Sequence, residues 1–300
     1  MCDNKRQNKK IIMERIKQVL FKPINWLLMI RFFIYRISGL TSNYASLKEK
    51  EGWELTFYDD FRNGLNRDVW RTDAYFGLRY HPGPIVSNSK PPAQFYDDNC
   101  VKSTSNGLEL YTKRESCQIY HIDWSGREYG FYTIPYKVGQ IDSSNGFQQK
   151  HGYFEIRSKQ PNSGSQWTAF WLASKYAWPP EIDIYEIWTS QRNGKRSTNT
   201  IHWSESSDPH KQYGYGFWTP NLSDDYHVWG CEWDEKWIKI YFDGIMVNIY
   251  PTPSSFIHPM HIIINNGIDH NGGNGVPKDK DMKSDITTKY VDYVKSYKKI

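Results

Sequence analysis

The chain has no run of about 20 uninterrupted apolar residues, the length a spanning helix needs. Its four cysteines, Cys2, Cys100, Cys117 and Cys231, form no C-x-x-C pair or other metal spacing, so a catalytic metal is not expected. No internal repeat period runs through the 300 residues, and helical periodicity is confined to the beginning. Net charge is also scarce once it is divided. Residues 1–40 carry nine Lys and Arg against Asp3 and Glu14, a surplus of seven, so the whole-chain charge of +5 leaves the remainder at −2. A near-neutral body argues against nucleic acid as a partner.

Aromatic side chains are abundant, at 16%, including 13 Trp and 22 Tyr. Some are expected in a β-rich core and others along a cleft that stacks on sugar rings. From Trp53 onward the sequence breaks into short β-like runs separated by Gly, Pro, Asn and Asp. Trp237–Phe242 and Ile245–Ile249 flank Asp243-Gly244, a strong hairpin signal. His261–Asn265 reads as a buried strand and Lys289–Tyr297 as the last one. Residues 73–99, with four prolines, and the glycine-bearing aromatic stretch Ser116–Tyr136 read as loops or insertions that shape a cleft wall. Cys100 and Cys117 have the spacing of neighbouring strands, and a disulfide between them is left open.

Residues 1–45 form a different unit. Ile12, Met13, Ile16, Val19 and Leu20 follow the spacing of an amphipathic helix. After Pro23, Trp26–Ile30 and Phe32–Tyr35 make an apolar region interrupted by Arg31 and closed by Arg36. The charged region is long and no small-residue cleavage site is obvious, so this is not a clean secretory signal. Basic and bulky apolar residues in this mixture suit in-plane attachment to a membrane surface through residues 11–40, or an atypical export signal. Residues 46–52 read as a linker, and an extracellular or membrane-associated monomer is expected.

The chemistry gathers in Glu181-Ile182-Asp183-Ile184-Tyr185-Glu186, three carboxylates in what otherwise reads as a buried strand. Regular alternation puts Glu181 and Asp183 on one face and Glu186 on the other. A β-bulge between Asp183 and Glu186 would bring all three to one face. Glu181 and Glu186 would then be a nucleophile and acid/base pair of a retaining glycosidase, with Asp183 assisting. An acidic edge strand with Glu186 in the following turn is the alternative that spacing leaves open.

This hexapeptide resembles the Glu-x-Asp-x-x-Glu signature of glycoside hydrolase family 16, in the bulged form of laminarinase-, agarase- and carrageenase-like members. Gly152–Pro161, Trp167–Leu172, Tyr226–Trp233, Val291–Tyr297 and the opening Trp53–Phe61 are similar to other landmarks of that family, in the same order, so the likeness spans residues 53–298. It implies an all-β, concanavalin-like jelly roll of two curved antiparallel sheets over residues 53–300, preceded here by a short helical extension. It also implies an endo-acting, retaining β-glycanase with a polysaccharide substrate, Glu181 as nucleophile and Glu186 as acid/base. A lectin on the same fold and a transglycosylase are the competing expectations.

Trp167 and Trp171, two full alternations apart and so on one face, His202 and Asn265 are the expected substrate-binding residues. No cofactor is required. Some relatives hold a structural calcium near the closing strand, and Asp60 and Asp292 are the candidate ligands for one here. Ser89-Lys90-Pro91-Pro92-Ala93-Gln94 departs from the Trp-Gly-Asn-x-Glu stretch of laminarinase-like members, which weakens β-1,3-glucan as the substrate. Sulfated polymers would favour basic cleft residues such as Arg79 and Arg127.

The N-terminal expectation has a direct test. Deleting residues 1–45 should abolish co-sedimentation with anionic vesicles while leaving the thermal transition intact; a truncated protein without a transition would show that the segment is structural.

Overall fold

The fold is taken from a computed structural model, which describes Trp26, Leu27, Ile30, Ile34 and residues 52–81, 92–164, 166–189, 194–205, 208–268 and 284–300. Trp26, Leu27, Ile30 and Ile34 are helical and exposed. The rest of the expected amphipathic extension, and nearly all of the linker, lie outside the described residues.

Strand-forming patterns continue to the end of the chain and produce two curved layers. The convex layer contains β1 (Trp53–Asp59), β3 (Val101–Thr104), β4 (Gly107–Lys113), β8 (Gly152–Lys159), β13 (His227–Trp233), β14 (Trp237–Phe242), β15 (Ile245–Pro251) and the long β17 (Ile286–Lys299). The concave layer runs in the order β12 (Asp208–Trp218), β11 (Arg196–Glu205), β10 (Glu181–Trp188), β9 (Gln166–Ala173), β16 (His261–Ile268) and β7 (Tyr136–Asp142). Antiparallel pairing of β7 with both β16 and β4 joins the layers along one edge, and the short β2 (Gln94–Tyr96) adds to β7 in parallel. The all-β jelly roll of two curved sheets is therefore present.

Alternation decides what each strand buries. In β9, Thr168, Phe170 and Leu172 face the core, while Trp167 and Trp171 remain half-buried on the opposite side. Core residues of β9, β10 and β16 meet Phe154, Ile156, Trp229, Cys231, Ile240 and Phe242 from the convex layer. The Tyr185 ring lies 4.5 Å from that of Trp229 across the interface. Burial on this scale supplies the main driving force for closing the two sheets.

The Asp243-Gly244 signal gives the expected β14–β15 hairpin. Both residues have positive φ, 46° and 74°, which a two-residue turn of the favoured twist requires. The Asp243 carboxylate accepts from the Val228 backbone N–H and from His227, tying the turn to β13. Ser116–Tyr136 folds as a separate two-stranded sheet, β5 (Cys117–Ile122) and β6 (Glu128–Ile134). Cys100, Cys117 and Cys231 are free thiols, so the Cys100–Cys117 disulfide is not formed. Cys100 is the buried last residue of a 3-10 turn whereas Cys117 begins the separate hairpin.

Lys289 is the least expected core residue. It projects from β17 into the interior, fully buried, and its Nζ donates to the carbonyls of Ala169 on β9 (2.8 Å) and Asn265 on β16 (3.1 Å). Burial pushes its pKa far down. Lys289→Ala removes both bonds and opens a cavity behind the cleft, and should cost about 2–4 kcal/mol in urea unfolding. Lys289→Met, which restores volume, should recover most of that loss; equal losses would assign the effect to the hydrogen bonds alone.

Candidate active site

The register of β10 is shifted against both neighbours. Against β11, Asp183 pairs with Thr200 and Glu186 with Thr198; against β9, Asp183 pairs with Trp171 and Tyr185 with Phe170. Ile184 is the extra residue. Ile182, Ile184, Tyr185 and Ile187 are all fully buried in the core. Glu181, Asp183, Glu186 and Trp188 therefore face the concave side together and line one cleft. The backbone carbonyl of Ile184 accepts from Asn199 Nδ2 at 2.5 Å, while the Asn199 side chain is held by Asn248 and its carbonyl by the Tyr250 hydroxyl at 3.2 Å. The bulge is thus part of a buried polar network, which removes the cost of an unpaired carbonyl.

The cleft has a volume of about 860 Å³, near the upper end of ordinary ligand pockets. Glu181 accepts from Trp178 Nε1 at 2.8 Å. Glu186 accepts from Trp167 Nε1 at 3.1 Å and from the Thr200 hydroxyl at 3.3 Å. His202 Nε2 stands 3.1 Å from Asp183 Oδ2 and 3.4 Å from Glu181 Oε1, and its Nδ1 is 2.9 Å from His210 Nε2. Trp178 covers this pair, with its ring 4.7 Å from that of His210. Because His202 Nε2 faces two carboxylates, that nitrogen carries the hydrogen.

Burial pushes the pKa of Glu181, Asp183 and Glu186 up to about 8, and repulsion from Asp183 adds to the shift of the two glutamates. His202 and the indole donors act in the opposite direction on Glu181 and Glu186. Three carboxylates in one water-poor cleft do not all ionise near neutral pH, so the site retains a proton.

The other expected binding residues separate into two groups. Trp167, Trp171 and His202 line the cleft. Asn265 does not, which corrects its assignment as a substrate contact: it is 1% exposed, accepts from Trp171 Nε1 at 3.0 Å and donates to the Trp167 carbonyl at 3.2 Å. It sets the two tryptophans from beneath. Arg79 and Arg127 are also outside the lining. Arg79 binds the Tyr96 carbonyl and Asp98, and Arg127 lies over the Tyr129 ring.

Sequence reasoning missed Trp178, Tyr75, Gln140, Arg196 and Gln212, which all face the cleft. Trp178 precedes the carboxylate strand by three residues and its position beside Glu181 was a usable signal. Tyr75 and Gln140 come from distant segments and carried none.

Asp60 and Asp292 do not form a fit for calcium. Arg62 pairs with both carboxylates, and Arg157 reaches Asp292 Oδ2 at 2.6 Å. Permanently charged guanidinium groups thus neutralise the two acids, where calcium would need six or more oxygens.

The sequence profile of the glycosyl hydrolases family 16 matches residues 93–291. Among curated proteins, the chain is 28% identical over 258 residues to the endo-1,3-1,4-β-glycanase ExsH of Rhizobium meliloti, covering 81% of this chain and 51% of that one. The chain thus spans about half the length of that relative. Among solved structures, the laminarinase catalytic domain of Thermotoga maritima superposes with a TM-score of 0.64 at 23% identity, covering 83% of this chain and all of the other. A structure solved for the endo-acting O-glycanases with which human gut bacteria initiate mucin breakdown gives 0.67 at 24% identity, covering 85% and 94%.

A raised carboxyl pKa has a definite sign for stability. The folded state holds the Glu186 proton more tightly than the unfolded chain, so this stabilisation is full below about pH 4 and is lost as pH rises toward 8. Glu186→Gln should therefore unfold at higher temperature than wild type at pH 8, by roughly 1–3 kcal/mol, with the gap closing toward pH 4. A gap that widens on acidification would contradict the direction of the shift.

With the bulged carboxylate strand in the cleft and the profile matched over residues 93–291, this chain belongs to the glycosyl hydrolases family 16.

Proposed function

We propose that the protein is an endo-acting, retaining β-glycanase that hydrolyses a neutral β-linked polysaccharide. The observation that carries this reading is the bulge at Ile184, which gives Glu181, Asp183 and Glu186 a common face in an open cleft. A sugar-binding module has no need of three buried carboxylates whose charges repel one another.

In the proposed mechanism, Glu181 attacks the anomeric carbon and the glycosidic C–O bond breaks as Glu186 gives its proton to the departing oxygen. A covalent glycosyl-enzyme results, and Glu186, now ionised, takes a proton from the incoming water as the ester bond to Glu181 is broken. Glu181 suits the nucleophile because Trp178 Nε1–H and His202 Nε2–H both face its oxygens and favour the anion. Asp183, bonded to His202, holds that imidazole in position and raises the affinity of Glu186 for its proton. Trp167 and Trp171 offer indole faces for sugar rings.

Charge narrows the substrate. Among the described lining residues, Arg196 is the only Lys or Arg and stands against three acids. Such a cleft repels a sulfated polymer and accepts a neutral one. The likeness to an endo-1,3-1,4-β-glycanase makes β-glucans the first polymers to try.

Reducing-end release should be measured with laminarin, mixed-linkage β-glucan, agar and carrageenan. Activity on a neutral polymer is expected, absent in Glu181→Gln, reduced about 10²–10⁴-fold in Glu186→Gln and partly retained in Asp183→Asn. Proton NMR of the first-formed sugar end should show the β anomer. Wild-type rates in Glu181→Gln would overturn the assignment.

A further inference from the structure

Among the described residues, β5 and β6 form a two-stranded sheet separate from the main one. Its tip is nonetheless rigidly built. Asp123 Oδ1 accepts from the backbone N–H groups of Ser125 (2.8 Å) and Arg127 (3.0 Å) and from the Ser125 hydroxyl (2.5 Å). Oδ2 accepts from the Tyr129 hydroxyl at 3.1 Å, and the Gly126 N–H bonds back to the Asp123 carbonyl at 2.9 Å. Gly126 supplies the positive φ of 82° that the turn requires. What this network displays is Trp124, 56% exposed.

Trp124 is not isolated from the cleft. Its ring centroid lies 5.1 Å from that of Phe76 and 5.4 Å from that of His81, both of which line the cleft. Phe76 in turn meets Tyr75 at 5.3 Å, and Tyr75 is close enough to Glu181 for that carboxylate to raise its pKa. A continuous row of rings thus leads from beside the proposed nucleophile to an open indole outside the cavity. A large apolar ring fixed in water by a dedicated turn has no stabilising use proportionate to its exposure, since burial is what stabilises such a group. It does offer a pre-organised stacking surface, which lowers the ordering cost of binding.

We propose that Trp124 forms a distal carbohydrate platform continuous with the cleft, stacking a pyranose ring of the polysaccharide several units away from the bond that is cleaved. The inference rests on the β-glycanase reading and adds a length requirement: the enzyme favours chains long enough to reach the hairpin.

The test compares wild type, Trp124→Ala, Trp124→Tyr and the control Phe131→Ser, whose side chain is 79% exposed on the outward face of the same hairpin. The kcat/KM ratio of polymeric β-glucan to a β-glucan tetrasaccharide is the readout. Trp124→Ala should lower that ratio about tenfold, mostly through KM on the polymer, and Trp124→Tyr should restore most of it. Phe131→Ser should leave it at the wild-type value. Equal losses on polymer and tetrasaccharide, or an unchanged ratio in Trp124→Ala, would overturn the platform. If wild type cleaves nothing, the β-glycanase reading fails on its own. Affinity electrophoresis in gels containing the same polymers then decides the platform, with weaker retardation of Trp124→Ala supporting it and equal retardation refuting it.

Discussion

Two consecutive side chains of β10, Ile184 and Tyr185, both point into the core, and the cleft depends on the backbone irregularity that allows this. A regular strand would have turned Glu186 into the hydrophobic interior and both of its apolar neighbours, Tyr185 and Ile187, onto the cleft face. Neither is tolerable, because an unpaired buried charge costs several kcal/mol or more. The bulge resolves the conflict and leaves one backbone carbonyl without a ladder partner. Asn199 fills that vacancy from β11, and Asn248 and Tyr250 hold Asn199 from β15 in the opposite sheet. The arrangement of the three carboxylates on the concave face is therefore secured by polar side chains reaching across the core.

The same carboxylates place the site under electrostatic strain. Burial and the charge of Asp183 both oppose ionisation of Glu181 and Glu186, while the indole N–H groups and His202 favour it. The donors are unequally distributed: Glu181 receives Trp178 and the near edge of His202, whereas Glu186 receives Trp167 and a longer contact from Thr200. Chemically different environments for two otherwise identical side chains are what a nucleophile and an acid require. Stability is the natural counterweight to such a site.

Much of this was legible in the sequence because its causes are local. Period-2 alternation identified β14, the Asp243-Gly244 dipeptide fixed a turn by its need for positive φ, and the spacing of Glu181, Asp183 and Glu186 implied a bulge if all three were to share a face. What escaped was set by tertiary contact. Asn265 lies on the face of β16 that underlies the cleft, yet the Trp171 indole and the Trp167 backbone carbonyl take its side-chain amide; alternation gives a side chain's direction but not what lies over it. Asp60 and Asp292 have calcium-compatible chemistry, but Arg62 and Arg157 converge on them from separate strands and loops. Lys289 read as an ordinary charge on the last strand, and only the packing of β9, β16 and β17 reveals it as an interior donor.

These interior contacts follow a common pattern. Lys289 on β17 reaches the backbones of β9 and β16, Asn248 and Tyr250 on β15 secure the Asn199 that caps the bulge, and Ser158 and Gln160 bond the Tyr185 hydroxyl from the other side. At each point the convex sheet contacts the concave one through a directional bond. Hydrophobic burial closes the sandwich, but it is non-directional. Buried hydrogen bonds are directional and so specify which of the compatible packings is adopted. On that argument, the precision of the cleft is distributed over both sheets, and the geometry of the carboxylate strand depends on contacts from β15 and β17, in the last quarter of the chain.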